Sequence, residues 1–274
     1  QAEPGAPGEA ADWPPAARVV RPEEAVDSDG RLSIFELEVP VPGLGVARIR
    51  ELPLADGVHA STGCQLWPAS VALGHLLLTE PALVRGKSVL ELGAGCGMAS
   101  VVAAHFAACT VVTDADEETV ANLHYNLAVN AGLWRDGEAG RPGPPKVVSA
   151  EPLPWDEVLA GCWPDGRRVD VAMGSDIIYG NWGQIVAQVV VRLLRPGGLF
   201  LMVSAEDRAG LPCFEQCMVE QGFRVQRSYL HHDGARFFRY VCHGPTPGTG
   251  AVATGSLECS LQRTSAQSGV LPRR

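Results

Sequence analysis

Four groups of residues in this chain have types and spacings that could do chemistry. Glu91 stands two places before a glycine run, Gly93-Ala94-Gly95-Cys96-Gly97, which follows the short apolar stretch Ser88 to Leu92. Asp114 comes twenty-one residues after Gly93. Asp176 and Tyr179 lie three apart behind another apolar stretch, and Trp67 and Trp155 punctuate the chain around them. Glycines let a backbone approach a ligand closely, because no Cβ intervenes. A carboxylate at the end of the next strand can accept hydrogen bonds from both hydroxyls of a ribose. Together they describe a site for a nucleoside-containing cofactor.

Two such cofactors compete. The dinucleotide fingerprint wants glycine five places after the first, and that residue is Met98. The third glycine is Gly97 instead. Glu91 has no role beside a pyrophosphate, which it would repel, and no phosphate-binding lysine accompanies the loop. An acid there can stand near the ammonium of a methionine moiety, directly or through water. The reading is S-adenosyl-L-methionine; the competing reading is a glycine-rich strand-to-helix turn that binds nothing.

The elements that must position these residues follow from periodicity. Arg31 to Val39 and Val46 to Leu52 alternate apolar and polar residues around Pro40-Val41-Pro42-Gly43, which predicts a β-hairpin. Trp67 to Leu78 is helical in pattern, with Pro68 in the first turn. Strands and helices then alternate: Ser88 to Leu92, Met98 to Ala107, Thr110 to Asp114, Glu117 to Asn130, Lys146 to Ser149, Val169 to Met173, Trp182 to Leu194, Leu199 to Ser204 and Pro212 to Gln221. This alternation predicts a parallel sheet with crossover helices. Arg224 to Leu230 and Arg236 to Val241 are joined by a short turn at His231-His232-Asp233-Gly234, so they must pair antiparallel. The expected fold class is α/β: a Rossmann-like seven-stranded sheet with its last strand antiparallel, plus the N-terminal hairpin. In such sheets ligands bind at the carboxyl ends of the strands.

The 274 residues carry a net charge of −9, and 46% of them are hydrophobic. Binding DNA needs a basic surface, so no DNA partner is expected, whereas a basic protein or peptide would be attracted. The eight cysteines include no C-x-x-C pair, and no metal site is read from them. Scattered cysteines of this kind suit reduced thiols of an intracellular protein, read as cytoplasmic, with a nuclear location and a removed targeting peptide as the alternatives. No apolar run reaches membrane-spanning length. The chain is read as a monomer with three parts: 1–28, a disordered lead-in rich in Pro, Ala and Gly; 29–243, the catalytic domain; and 244–274, a flexible tail.

Several motifs, in order, give the chain its resemblance. Gly63-Cys64-Gln65-Leu66-Trp67-Pro68, Gly86 to Gly95, Leu153-Pro154-Trp155 and Gly174-Ser175-Asp176-Ile177-Ile178-Tyr179 together resemble the methyltransferase-like protein-lysine methyltransferases of the seven-strand class, over about residues 60 to 242. The glycine loop is shared by many methyltransferases; the Trp67 segment with Asp-x-x-Tyr is specific to this group. The resemblance implies that Trp67, Gly93, Ala94, Gly95, Asp114, Trp155 and Ser175 line the cofactor. Many members have Ala where this chain has Ser175, a departure that a backbone contact tolerates. It implies a protein substrate with a lysine acceptor; Asp176 and Tyr179, a pair at a strand's carboxyl end beside the expected sulfonium, are read as catalytic residues that hold and orient the amine. Each has a plainer alternative: Trp67 as an apolar lid, Trp155 as a strand-end aromatic, Asp176 as a helix cap and Tyr179 as core. A methyltransferase of RNA or a small molecule, or a catalytically silent scaffold that binds the cofactor, are the competing functions.

Overall fold

The computed structural model describes residues 17–19, 35–52, 62–135, 146–163 and 167–246. A three-stranded antiparallel sheet comes first in the chain: β1 (Ala17–Val19), β2 (Phe35–Val41) and β3 (Gly45–Glu51). The expected hairpin is β2 and β3, paired from Phe35 with Glu51 to Val41 with Gly45. β1 corrects the reading of 1–28 as a disordered lead-in, since Ala17–Val19 pairs with Glu36–Glu38; the rest of that stretch lies outside the described residues.

The main sheet has seven strands: β4 (Ser88–Leu92), β5 (Cys109–Asp114), β6 (Val147–Pro152), β7 (Val169–Ser175), β8 (Leu194–Ala205), β9 (Arg224–His232) and β10 (Ala235–His243). Their order is β6-β5-β4-β7-β8-β10-β9, with β10 antiparallel to both its neighbours and the other pairings parallel. The order reverses between β4 and β7, so a crevice opens beyond their carboxyl ends. β8 begins earlier than the sequence suggests, with an irregularity opposite β7: Leu194 pairs with Val169, then Leu199 with Val171. The β9–β10 turn is only Asp233-Gly234, both with positive φ (48° and 70°), as a two-residue hairpin requires. His231 and His232 therefore belong to β9 and not to the turn, and His232 is buried.

The helices are α1 (Pro68–Thr79), α2 (Met98–Phe106), α3 (Glu117–Val129), α4 (Gly132–Arg135), α5 (Trp155–Leu159), α6 (Gly183–Leu193) and α7 (Leu211–Glu220). α1, α2, α3 and the N-terminal sheet share one apolar cluster with Val89, Val112 and Met173; α5, α6 and α7 share the other with Leu90, Leu92 and Phe200. Residues alternating along each central strand thus feed the two layers. α4 occupies the start of the stretch expected as a loop over Gly132 to Pro145, and the remainder lies outside the described residues. The expected tail begins with two residues fixed to the sheet: Gly244 N–H donates to Gly198 O, and Pro245 O accepts from Gly197 N–H, each at 2.8 Å. Among the described residues no helix is long and apolar enough to cross a membrane.

Candidate active site

A cleft of about 580 Å³ opens at the carboxyl ends of β4, β5 and β7. Its floor is the glycine loop between β4 and α2. Gly93 and Gly95 both have φ of 56°, a left-handed conformation that disfavours side chains. A Cβ on Gly93 would stand 3.0 Å from Ile177 Cγ2, and one on Gly95 3.1 Å from Gly63 O. The loop is therefore bare backbone pressed between two walls. Asp114, at the end of β5, holds it: Oδ2 accepts from Gly95 N–H at 3.0 Å and Oδ1 from Ala115 N–H at 2.8 Å. Burial pushes the Asp114 carboxyl up from its usual value, against the opposing pull of these N–H donors.

One wall is the segment ahead of α1. Gly63, Leu66 and Trp67 line the cleft there, and Trp67 is exposed. That segment hangs from the N-terminal sheet: Leu66 N–H donates to Glu51 Oε1 at 2.8 Å, and Leu52 N–H to Cys64 O at 3.0 Å. The opposite wall is aromatic. Trp155 at the start of α5 meets Trp182 edge-on, ring centroids 5.4 Å apart, and Tyr179 stands beside them at the mouth. Ser175 and Ile177 complete this side.

The expected cofactor residues Trp67, Gly93, Ala94, Gly95, Asp114, Trp155 and Ser175 all line this one cleft, as does Tyr179. Glu91 and Asp176 do not. Glu91 sits one strand position from Leu90 and Leu92, so alternation turns its side chain under α2. It is fully buried, Ser100 Oγ donates to its Oε2, and its Oε1 has no hydrogen-bond partner among the described residues. Burial pushes its carboxyl up to about 8, although the Ser100 bond pulls the other way. The Glu91 side chain is thus not part of the cleft lining.

Asp176 is buried beneath the cleft's aromatic wall, with Arg208 Nε donating to its Oδ1 at 2.8 Å and Arg208 Nη2 to its Oδ2. Its expected direct hold on an amine is not what the geometry offers. Nor is it a helix cap: α6 begins at Gly183, with Trp182 ahead of it. Arg208 and Trp182 were not anticipated as site residues. Arg208 lies in a turn with no motif, and Trp182 reads locally as the start of a helix. Cys96, inside the loop, is buried, which holds its thiol well above the ordinary range. The described cysteines are free thiols, and no group of three or more His, Cys, Asp or Glu among the described residues could hold a metal.

Among the described residues the lining includes three carboxylates, those of Asp114, Asp116 and Asp156, and no Lys, Arg or His. Such a cleft repels phosphate and favours cations. It fits a cofactor with a ribose, an ammonium and a positive sulfur, and does not fit a dinucleotide.

Comparison with known proteins agrees. A family model described as lysine methyltransferase matches residues 48–211. Protein-lysine N-methyltransferase EFM3 of Chaetomium thermophilum is 36% identical over 154 residues, 54% of this chain and 42% of that protein. Protein N-lysine methyltransferase METTL21A of Danio rerio is 33% identical over 127 residues, 45% of this chain and 51% of that protein. The match thus spans about half the length of these relatives. Among solved structures, the T. thermophilus 16S rRNA N2 G1207 methyltransferase superposes with a TM-score of 0.52 at 21% identity, covering 78% of this chain and 51% of that one; the likeness is one of fold. With more than half of its length matched by the family model, the chain belongs to the lysine methyltransferase family.

Proposed function

We propose that this protein is an S-adenosyl-L-methionine-dependent protein-lysine N-methyltransferase. The observation that carries the reading is the cleft itself: bare glycine backbone, a ribose-type acid and an aromatic mouth, with carboxylates and no basic side chain among the described residues of its lining. S-adenosyl-L-methionine, when bound, supplies a methyl group already activated by its positive sulfur. The Gly93 to Gly95 backbone and Asp114 would hold the cofactor's polar end and ribose, with Trp67, Trp155 and Ser175 around it.

Lysine is an acceptor of suitable shape for the rest. Its four-carbon stem packs on aromatic faces while its head reaches inward. Tyr179 and Trp182, both exposed at the mouth, provide those faces. At pH 7 only about 0.04% of free lysine is neutral and nucleophilic. Moving the amine out of water into the aromatic slot lowers its pKa, and the proton leaves to solvent before transfer. The protein's part is to align the amine and exclude water. Tyr179 faces the acceptor in this scheme, while Asp176 contributes from behind the wall.

The test is calorimetric titration of the full chain with S-adenosyl-L-methionine, then transfer of labelled methyl to a cell lysate with mass-spectrometric site mapping. Binding followed by methyl-lysine in a discrete protein supports the reading. Label in RNA or a small molecule, or binding with no transfer, overturns it in favour of another acceptor or a silent scaffold.

A further inference from the structure

We infer that Arg208 is a positioning residue for methyl transfer: by gripping the Asp176 carboxylate it fixes the loop that presents Ile177 and Tyr179 to the cleft. The inference rests on the function proposed above and adds to it a residue and a mode of action. Two independent features carry it.

The first is the set of bonds on Asp176. Its side chain accepts from Arg208 through two nitrogens, from Ala205 N–H at 3.2 Å and from Ser204 Oγ at 3.3 Å. Its own N–H donates to Val203 O at 2.8 Å. Asp176 also holds φ of 54°, a left-handed conformation that a non-glycine residue keeps only when its surroundings enforce it. Every donor here comes from the end of β8 or the turn after it. The carboxylate is 5% exposed at the residue level and absent from the cleft lining, so its hydrogen-bonding capacity points away from where an acceptor enters.

The second is the packing of the turn against the wall. A Cβ on Gly183 would lie 2.3 Å from Gly210 O, and one on Gly210 would lie 2.6 Å from both Gly180 O and Ile178 Cγ2. The segment after β8 and the segment after β7 therefore touch backbone to backbone. Arg208 stands next to this contact, and its guanidinium carbon lies 5.5 Å above the Tyr179 ring. One side chain thus bonds the first residue of Asp-x-x-Tyr and covers the last. Ile177 completes the chain of contacts to the cofactor loop, since its Cγ2 fills the space over Gly93.

A different role for the same pair would be a placeholder: an incoming lysine ammonium displaces Arg208 and takes its carboxylate. The two roles give opposite results. The experiment compares the full chain with R208A, R208K and D176N, and with R227A, which removes the Arg227–Glu215 ion pair on the far strand β9. Three readouts are taken: amide hydrogen exchange over 176–183, affinity for S-adenosylhomocysteine, and kcat and KM on a lysine peptide selected from an arrayed peptide library. A thermal melt confirms that each variant is folded, and R208K retains the charge should R208A be unstable.

Positioning predicts exchange over 176–183 at least about tenfold faster in R208A and D176N, intermediate in R208K and unchanged in R227A. It predicts a kcat loss of about tenfold or more in R208A, with KM and S-adenosylhomocysteine affinity within about threefold of the parent. Unchanged exchange in R208A overturns the inference. A lowered KM with kcat retained overturns it in favour of displacement. If the parent chain binds no S-adenosylhomocysteine, the function reading fails and the role in transfer fails with it, while exchange still decides whether Arg208 holds the wall.

Discussion

Glu91 shows how one strand position decides a residue's chemistry. In a five-residue strand with Leu90 and Leu92 on one face, the acid between them must enter the opposite helix layer. There burial favours its neutral form, with a carboxyl pushed up to about 8 from an ordinary value of 4.5. The sign of the linkage follows. Between pH 4.5 and 8 the unfolded chain has lost this proton and the folded chain retains it, so stability falls as pH rises, by roughly 1.4 kcal/mol per pH unit. Above pH 8 the cost is constant; below pH 4.5 it vanishes. Glu91→Gln keeps the shape without the charge, so its unfolding free energy, measured by denaturant titration across pH 4.5 to 8, is expected to fall less steeply than the parent's by up to that slope. Equal slopes would mean that Glu91 is ionised in the fold. Asp114 is the contrasting acid, buried yet held by backbone N–H groups at the cleft. Asp114→Ala removes both the proposed ribose acceptors and the strut under Gly95. With hydrogen bonds to a charged group worth about 1.5–3 kcal/mol, titration calorimetry should find S-adenosyl-L-methionine bound at least about tenfold more weakly.

At the scale of elements, the N-terminal sheet is joined to the main domain by a ladder of asparagines on α3. Asn122, Asn126 and Asn130 fall at successive helical turns and face the open edge of β3. Asn130 Oδ1 accepts from Arg48 N–H and its Nδ2 donates to Arg48 O, at 2.8 and 2.7 Å. Asn126 does the same for Arg50, at 2.8 and 3.2 Å, and also donates to Cys96 O in the glycine loop at 3.0 Å. Edge strands need such partners, because their unpaired backbone groups are otherwise exposed or unsatisfied. Asn126→Ala strips Arg50 N–H and Cys96 O of their partner inside the protein. A loss of about 1–3 kcal/mol is expected, read as a melting temperature lower by about 2–4 °C per kcal/mol. Asn126→Asp, which keeps an acceptor but no donor, should lose less only if the Arg50 N–H bond dominates. The ladder also marks the limit of what the sequence discloses. The glycine loop, Asp114 and the strand–helix alternation were legible because each is written in neighbouring residues. The asparagine spacing is equally local, but its meaning depends on a strand 76 residues away. Arg208 belongs with it, since its partner lies 32 residues distant and its turn has no signature. Glu91 was legible as a motif, but its burial under α2 was not, because the motif says nothing about which face of β4 it occupies.

For the whole molecule, charge and shape act together on the choice of acceptor. The chain carries −9 overall, and three of its carboxylates line the cleft with no basic side chain among the described lining residues to offset them. A basic peptide therefore meets an attractive field before it touches the aromatic mouth, and a focused field of this kind acts chiefly on association. In the proposed reaction the lysine sits between Tyr179 and Trp182, where contact is short-range and shielded from salt. Raising ionic strength from about 0.05 to 0.5 M shortens the screening length from over 10 Å to under 5 Å, which removes the approach term and leaves the contact term. For a lysine peptide flanked by Arg and Lys, KM should rise several-fold across this range while kcat stays constant. For a peptide of equal length flanked by Ser and Gly, KM should barely move, and one flanked by Glu should improve with salt. Steady-state assays of the three peptides over that range check this. A salt response that does not depend on flanking charge would show that acceptor choice is made by the aromatic mouth alone, since global charge would then play no part in bringing the substrate to it.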